Sequence, residues 1–351
     1  IKVDTITNGA TDVNFPYDVK VGDGGFVQRE YYAQATEPTP LTNGAVWQDT
    51  GKSLTKVYLG GAWYIVSVTL PPAYFGGRGL FGGGIAVNVI DYITIDTPGN
   101  ATDFGDLTVA RYGLAGLAGE GRGVFGGGET VNTIEYVTIA TAGNATDFGD
   151  LTSTAYYLGA CSSGTRGLFG GGTFHNDTID YITIATPGNA TDFGNLSAAR
   201  HKIASCSNGI RGLFAGGDGP SNTIDYVTIA TTGNSTDFGN LSVVREFLSS
   251  CANRTYGLFG GGGETAGGKS TTIDYVTIET TGNATDFGDL AVATTVPAAC
   301  SNGPRGVFGG GETAGGAVNV ISYVTIATPS NATDFGDLTA TARYLASCSG
   351  D

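Results

Sequence analysis

The sequence predicts an all-β chain dominated by a six-bladed β-propeller with four strands per blade, preceded by a small β module. Three observations carry this. A phrase typified by "NTIDYVTIATTGNSTDFGNLSVVR", beginning at Asn222, occurs six times. Each copy divides into short segments rich in Ile, Val, Tyr, Thr and Phe, bounded by Gly, Asn and Asp, with no sustained helical period. The last copy then runs on into "RYLASCSGD", one strand more than its own blade requires.

Anchored on the Gly of "RGLF" and its equivalents, the copies fall at Gly79, Gly123, Gly167, Gly212, Gly257 and Gly306, in steps of 44, 44, 45, 45 and 49 residues. Periods of about 40–50 residues belong to propeller repeats. In the fourth copy "KIASCSN" reads as the first strand and "RGLFAGG" as the second. "NTIDYVTIAT" is the third, and "LSVVR" is the fourth, after a "GNSTDFGN" loop. The third strand is apolar on both faces, with Ile224 and Tyr226 on one and Val227 and Ile229 on the other. A sheet buried on both faces must be sandwiched, which radially stacked blades provide. Glycine runs suit the crowded approach of backbones near the axis. The first copy is preceded by "LPPAYFGG", a poor strand, so the surplus C-terminal strand is expected to complete blade 1 and leave no open sheet edge. The propeller then spans residues 71–351 and the β module residues 1–70. In the latter, "GAVWQDT", "TKVYLGG" and "AWYIVSV" read as three strands around Trp47 and Trp63.

The formal net charge of −15 makes nucleic acid and anionic membrane surfaces unfavourable partners. No apolar run approaches the roughly 20 residues that a membrane-spanning helix needs.

The residues that could carry chemistry recur too regularly to form a singular site. Cys161, Cys206, Cys251, Cys300 and Cys348 share one repeat position on the innermost strand. They read as small buried apolar groups, since zinc needs ligands that converge from close spacings. Asn100, Asn144, Asn189, Asn234, Asn283 and Asn331 open Asn-x-Thr triplets and are expected to cap tight turns locally. Asp103 with Asp106, and Asp147 with Asp150, offer two carboxylates per loop, too few for calcium. The acids Asp91, Glu135, Asp180, Asp225 and Asp274, with Ser322 as the exception, alternate with Arg78, Arg122, Arg166, Arg211 and Arg305, with Tyr256 as the exception. They are expected to form structural ion pairs. His175 and His201 have no paired nucleophile in sequence, so no catalytic constellation, metal or cofactor is expected.

A strand ending in a Gly doublet, a strand with a Tyr, a turn, and a closing segment with an Arg resemble the kelch-type propeller blade. The matching residues are Gly82, Gly83, Tyr92 and Arg111 in the first copy, and Gly170, Gly171, Tyr181 and Arg200 in the third. The late Trp of kelch blades is absent. Phe104 and Leu107, in "DFGDL", are expected to replace it as the apolar anchor. The N-terminal "EPTPLTNGAVWQDTGKSLTKVYLGGAWYIVSV" resembles a short module of bacteriophage tail and fibre proteins, and the repeat wording resembles propeller repeats of marine phage virion proteins. The resemblance implies a non-enzymatic virion protein on the particle surface, attached to other virion proteins through the N-terminal module.

Recognition is expected where the copies differ, on loops carried by a rigid scaffold. Two variable loop sets, after the Gly runs and between fourth and first strands, should emerge on one face. They place Tyr156, Tyr157, Phe174, His175, His201, Lys202, Phe247 and Lys269 around its rim. Such side chains suit a host-surface glycan or protein. A purely structural decoration protein and a carbohydrate-active enzyme are the alternatives, and homo-oligomerisation is left open.

Overall fold

The computed structural model describes residues 76–350 apart from 174–175, 219–220 and 265–266, and describes only the strands of residues 1–75. The chain divides into two compact units, Ile1–Pro71 and Pro72–Asp351. In the first, Val46–Asp49, Leu54–Leu59 and Ala62–Val68 form an antiparallel run, and Tyr31–Gln34 adds a fourth strand parallel to Val46–Asp49. The expected three-stranded order is present with one strand more. The tryptophan core lies outside the described residues.

The second unit is the expected propeller of six four-stranded sheets. Blade 2 is typical, with Ala115–Gly119 innermost, then Arg122–Gly126, Thr133–Thr138 and Thr146–Asp150 at the circumference. Blades 3, 4, 5 and 6 repeat this order from inner strands Gly159–Ser162, Ala204–Ser207, Ser249–Ala252 and Ala298–Ser301. In blade 1 the final strand, Ala346–Gly350, is innermost and pairs antiparallel with Arg78–Gly82. Each inner strand lies against the next, and the last meets the first.

The fourth strand is not where the sequence suggested. The outer strand is "TDFG" with the following Asp or Asn, as in Thr236–Asn240, and "LSVVR" lies beyond it in the crossover. A bulge between Ile224 and Asp225 and a Gly239 φ of +147° break the two-residue alternation that would have revealed this strand. The apolar Val109, Val243 and Val292, which suggested a strand, are exposed. Phe104 and Leu107 are buried as the expected anchors, and their counterparts are buried in every blade.

Small residues set the spacing between blades. A Cβ on Gly212 would come within 2.6 Å of the Cys161 sulfur of the preceding blade, and one on Gly79 within 2.7 Å of Cys300. Cys348, Cys206 and Cys251 press in the same way on Gly123, Gly257 and Gly306, while Leu117 takes the role against Gly167. The five thiols are therefore buried wedges between blades. Burial pushes the Cys161 and Cys300 thiols up to about 12, well away from thiolate reactivity. Phe125, Phe169 and Phe214 likewise lie over Gly82, Gly126 and Gly170.

At the circumference the Asn-x-Thr residues act between blades rather than within their own turns. Asn144 Oδ1 accepts the Asp106 amide at 3.1 Å, and Asn100 accepts that of Asp337 across the closure seam at 3.1 Å. Backbone bonds beside them, such as Ala145 N to Asp106 O at 2.8 Å, cover each outer strand edge with the next blade's turn.

Candidate functional site

In an antiparallel blade the crossover to the next blade and the loop after the second strand must leave by the same face. The six crossovers align as five-residue units, "RYGLA", "AYYLG", "RHKIA", "REFLS", "TTVPA" and "ARYLA". The third residue of each stands on a ring around the axis: Gly113, Tyr157, Lys202, Phe247, Val296 and Tyr344. All six have φ between +53° and +69°, in the left-handed region. Their backbones form a closed belt, each amide donating to the carbonyl of the preceding member. The bonds run from 2.6 Å for Tyr157 to Gly113 up to 3.4 Å for Tyr344 to Val296. The belt explains the conformation, because only this twist points each N–H along the circle. Left-handed geometry is unfavourable for bulky side chains, and five of the six positions carry one.

The fourth residues, including Leu114, Leu158, Ile203, Leu248 and Leu345, lie below the belt and line an axial cavity of about 80 Å³ with it. Deeper in the channel a second space of about 100 Å³ is lined by Ser, Ala and Cys of the inner strands. There, Ser162 and Ser207 hydroxyls donate to the Ala118 and Ser162 carbonyls of neighbouring blades at 2.6 and 2.7 Å.

Above the belt is an aromatic cluster with Tyr157 at its hub. Its ring centroid lies 4.7 Å from Tyr156, 5.0 Å from Phe247, 5.4 Å from Tyr344, 6.1 Å from Tyr112 and 6.3 Å from His201. Tyr157 leans across Gly113, where a Cβ would sit 2.9 Å from its ring. Burial pushes the Tyr157 phenol upward, and a bond to Glu129 raises that of Tyr112 to about 12, so both stay protonated donors at neutral pH. Charges on this face are matched. Lys202 lies over the Phe247 ring at 4.7 Å and meets Glu246 at 3.1 Å and Asp218 at 3.8 Å. His201 meets Asp218 at 3.2 Å.

Of the residues expected at the rim, Tyr156, Tyr157, His201, Lys202 and Phe247 come together here. Lys269 stands in an ion cluster at the edge of this face, bonded to Glu312 at 3.2 Å; Arg343 also engages Glu312 and lies 5.8 Å from the Tyr344 ring. Phe174 and His175 lie outside the described residues. Tyr112 and Tyr344 were missed. Tyr344 sits in the closing segment, and aligning that segment with the other crossovers would have placed it beside Tyr157.

The expected pairing of the recurrent arginines with the "IDY" acids is overturned. Arg78, Arg122, Arg166, Arg211 and Arg305 stack on Tyr92, Tyr136, Tyr181, Tyr226 and Tyr323 at 4.3–4.8 Å. Each donates to a backbone carbonyl of the following blade, as Arg78 does to Ile139 at 2.7 Å. The acids point the other way, because strand alternation turns them opposite to the adjacent Tyr. Three of the five pair with the first residue of the crossover unit. Arg111 meets Glu135 at 3.0 Å, Arg200 meets Asp225 at 2.7 Å and Arg245 meets Asp274 at 2.7 Å, all buried. Among the described residues no cluster of three or more His, Cys, Asp or Glu is placed to hold a metal. No protein-family model matches the chain, and no curated protein matches it.

Proposed function

We propose that the chain is a non-enzymatic recognition protein whose propeller presents the aromatic crossover face to a surface glycan. The observation that carries this is the set of bulky side chains held in left-handed conformation on one belt. Glycine there would relieve strain of about 1 kcal/mol or more at each position. Tyr157, Lys202, Phe247, Val296 and Tyr344 hold that conformation instead, and all five line one axial bowl. Large amphipathic rings with hydroxyl and amine donors at their edges suit the apolar faces and hydroxyls of a sugar. The matched charges around Lys202 favour an uncharged ligand, on a chain whose net charge is −15.

The sequence resemblance to phage virion proteins supports placing this face on a particle, with residues 1–70 as the attachment module. Several copies per particle would then strengthen weak single contacts through avidity. The test is binding of the full chain to an array of bacterial surface glycans, alongside Tyr157→Ala and Phe247→Ala. The expected result is binding by the parent chain that both variants lose while their circular dichroism stays unchanged. Failure of every glycan, with binding to isolated virion subunits, supports the purely structural alternative. Release of reducing sugar supports the enzymatic one.

A further inference from the structure

We propose that blades 1 and 3 each hold a binding site for a guanidinium group, the group that blades 2, 4 and 5 supply from their own chain. This inference is independent of the glycan reading. In blade 5 the Arg245 guanidinium meets Asp274 at 2.7 Å and donates to the carbonyls of Phe259, Gly261 and Thr272 at 3.4, 2.7 and 2.6 Å. Arg200 makes the equivalent four contacts in blade 4. Arg111 makes three of the four in blade 2, with Glu135, Phe125 and Thr133. In blades 3 and 1 the carboxylate is retained as Asp180 and Asp91, each 6% exposed. The arginine is not retained, since Ala155 and Ala342 stand in its place.

Both carboxylates are held as in the other blades. The Thr152 amide and hydroxyl donate to Asp180, at 2.9 Å and 2.8 Å, and those of Thr339 to Asp91, at 3.0 Å and 2.7 Å. Among the described residues neither has a cationic partner. A nearly fully buried carboxylate without a cation is an expensive arrangement. The chain avoids it in blade 6, where the arginine and the acid are lost together as Thr294 and Ser322. Blade 6 also shows the room that a missing arginine leaves. A cleft of about 60 Å³ there is lined by Thr294, in the arginine's place, and by Phe308, Gly310 and Val320, the counterparts of the Phe259, Gly261 and Thr272 that bond Arg245 in blade 5. The buried carboxylate without an arginine thus recurs in blades 1 and 3, blade 6 shows the room that opens where no arginine stands at this register, and an anionic chain would draw such a cation toward it.

The test is thermal unfolding of the full chain with millimolar methylguanidinium or N-acetylarginine amide, against methylammonium and urea as controls. The first ligand reads a free small cation and the second an arginine side chain of a peptide. The expected result is a saturable rise in Tm with either guanidinium compound and none with the controls. Asp91→Asn/Asp180→Asn should abolish the response. Ala155→Arg/Ala342→Arg should raise Tm without ligand and then respond no further. The absence of a saturable rise in the parent chain overturns the proposal, as does a rise that survives Asp91→Asn/Asp180→Asn. The parent titration and the Asn variant decide even if the double-arginine chain does not fold.

Discussion

The buried charge sites give a controlled comparison within one molecule, since six blades place four combinations of partners at the same register. Arg245 and Asp274 are both fully buried. Arg245→Ala should therefore cost about 3–5 kcal/mol, most of it from the carboxylate left alone. Arg245→Thr/Asp274→Ser copies blade 6 and should recover most of that loss in urea unfolding. A double variant as unstable as the single one would show that packing, not charge, dominates. Asp91 and Asp180 set up a pH dependence. Burial raises both carboxyls above the ordinary carboxylate value, despite the opposing bonds from Thr339 and Thr152. The folded state therefore binds these protons more tightly than the unfolded chain. The resulting stabilisation is complete below the ordinary carboxylate pKa and is lost as pH rises through the raised folded value. Asp91→Asn/Asp180→Asn should flatten that decline, measured by urea unfolding midpoints from about pH 4 to pH 7. An unchanged slope would assign the decline to other groups.

At the scale of the strand and turn, the "GNATDFG" segment clasps one blade to the next. Gly149 has φ +144°, and a Cβ there would come 2.5 Å from the Gly188 backbone of blade 3. Gly149→Ala must distort both blades and should cost more than Asn189→Ala, which removes one exposed hydrogen bond to Asp150 N worth about 1 kcal/mol. Tm values of the two variants check the order, and equal losses would show that the turn yields easily. This clasp also shows what the sequence made legible. The third strand was plain because Ile224 and Tyr226 on one face and Val227 and Ile229 on the other make it apolar on both. The outer strand was not, because a bulge and a glycine break its alternation and its function lies in a neighbouring blade. The roles of the Asn residues, and the turning of the acids away from the arginines, depend on that same lateral contact. The aromatic bowl was half legible. Tyr156, Tyr157, His201, Lys202 and Phe247 stood out as variable loop residues. The belt that unites them is a backbone feature, invisible to side-chain pattern, and it brings in Tyr112 and Tyr344 from blades distant in sequence.

For the whole ring, closure is distributed over several radii. Near the axis Ala346–Gly350 pairs with Arg78–Gly82, and Ser347 and Ser349 hydroxyls donate to Ala299 and Ser301 carbonyls at 2.7 and 2.6 Å. Farther out Arg305 donates to Ile95 O at 2.7 Å, and at the rim Asn100 holds the Asp337 amide. Deleting residues 346–351 removes only the axial part. Blade 1 should then stay docked through Arg305 and Asn100, while Arg78–Gly82 becomes an unpaired edge and Gly123 loses the Cys348 wedge. An exposed apolar edge of "RGLFG" is a template for pairing with another chain. The truncated protein should therefore keep its β circular dichroism, unfold at lower temperature and form larger species than the parent in light scattering after gel filtration. A synthetic peptide spanning Tyr344–Gly350 should reverse the association by refilling the innermost position. A truncated chain with the parent's size and Tm would mean that the rim contacts alone close the ring, and that the terminal strand contributes little to holding six blades together.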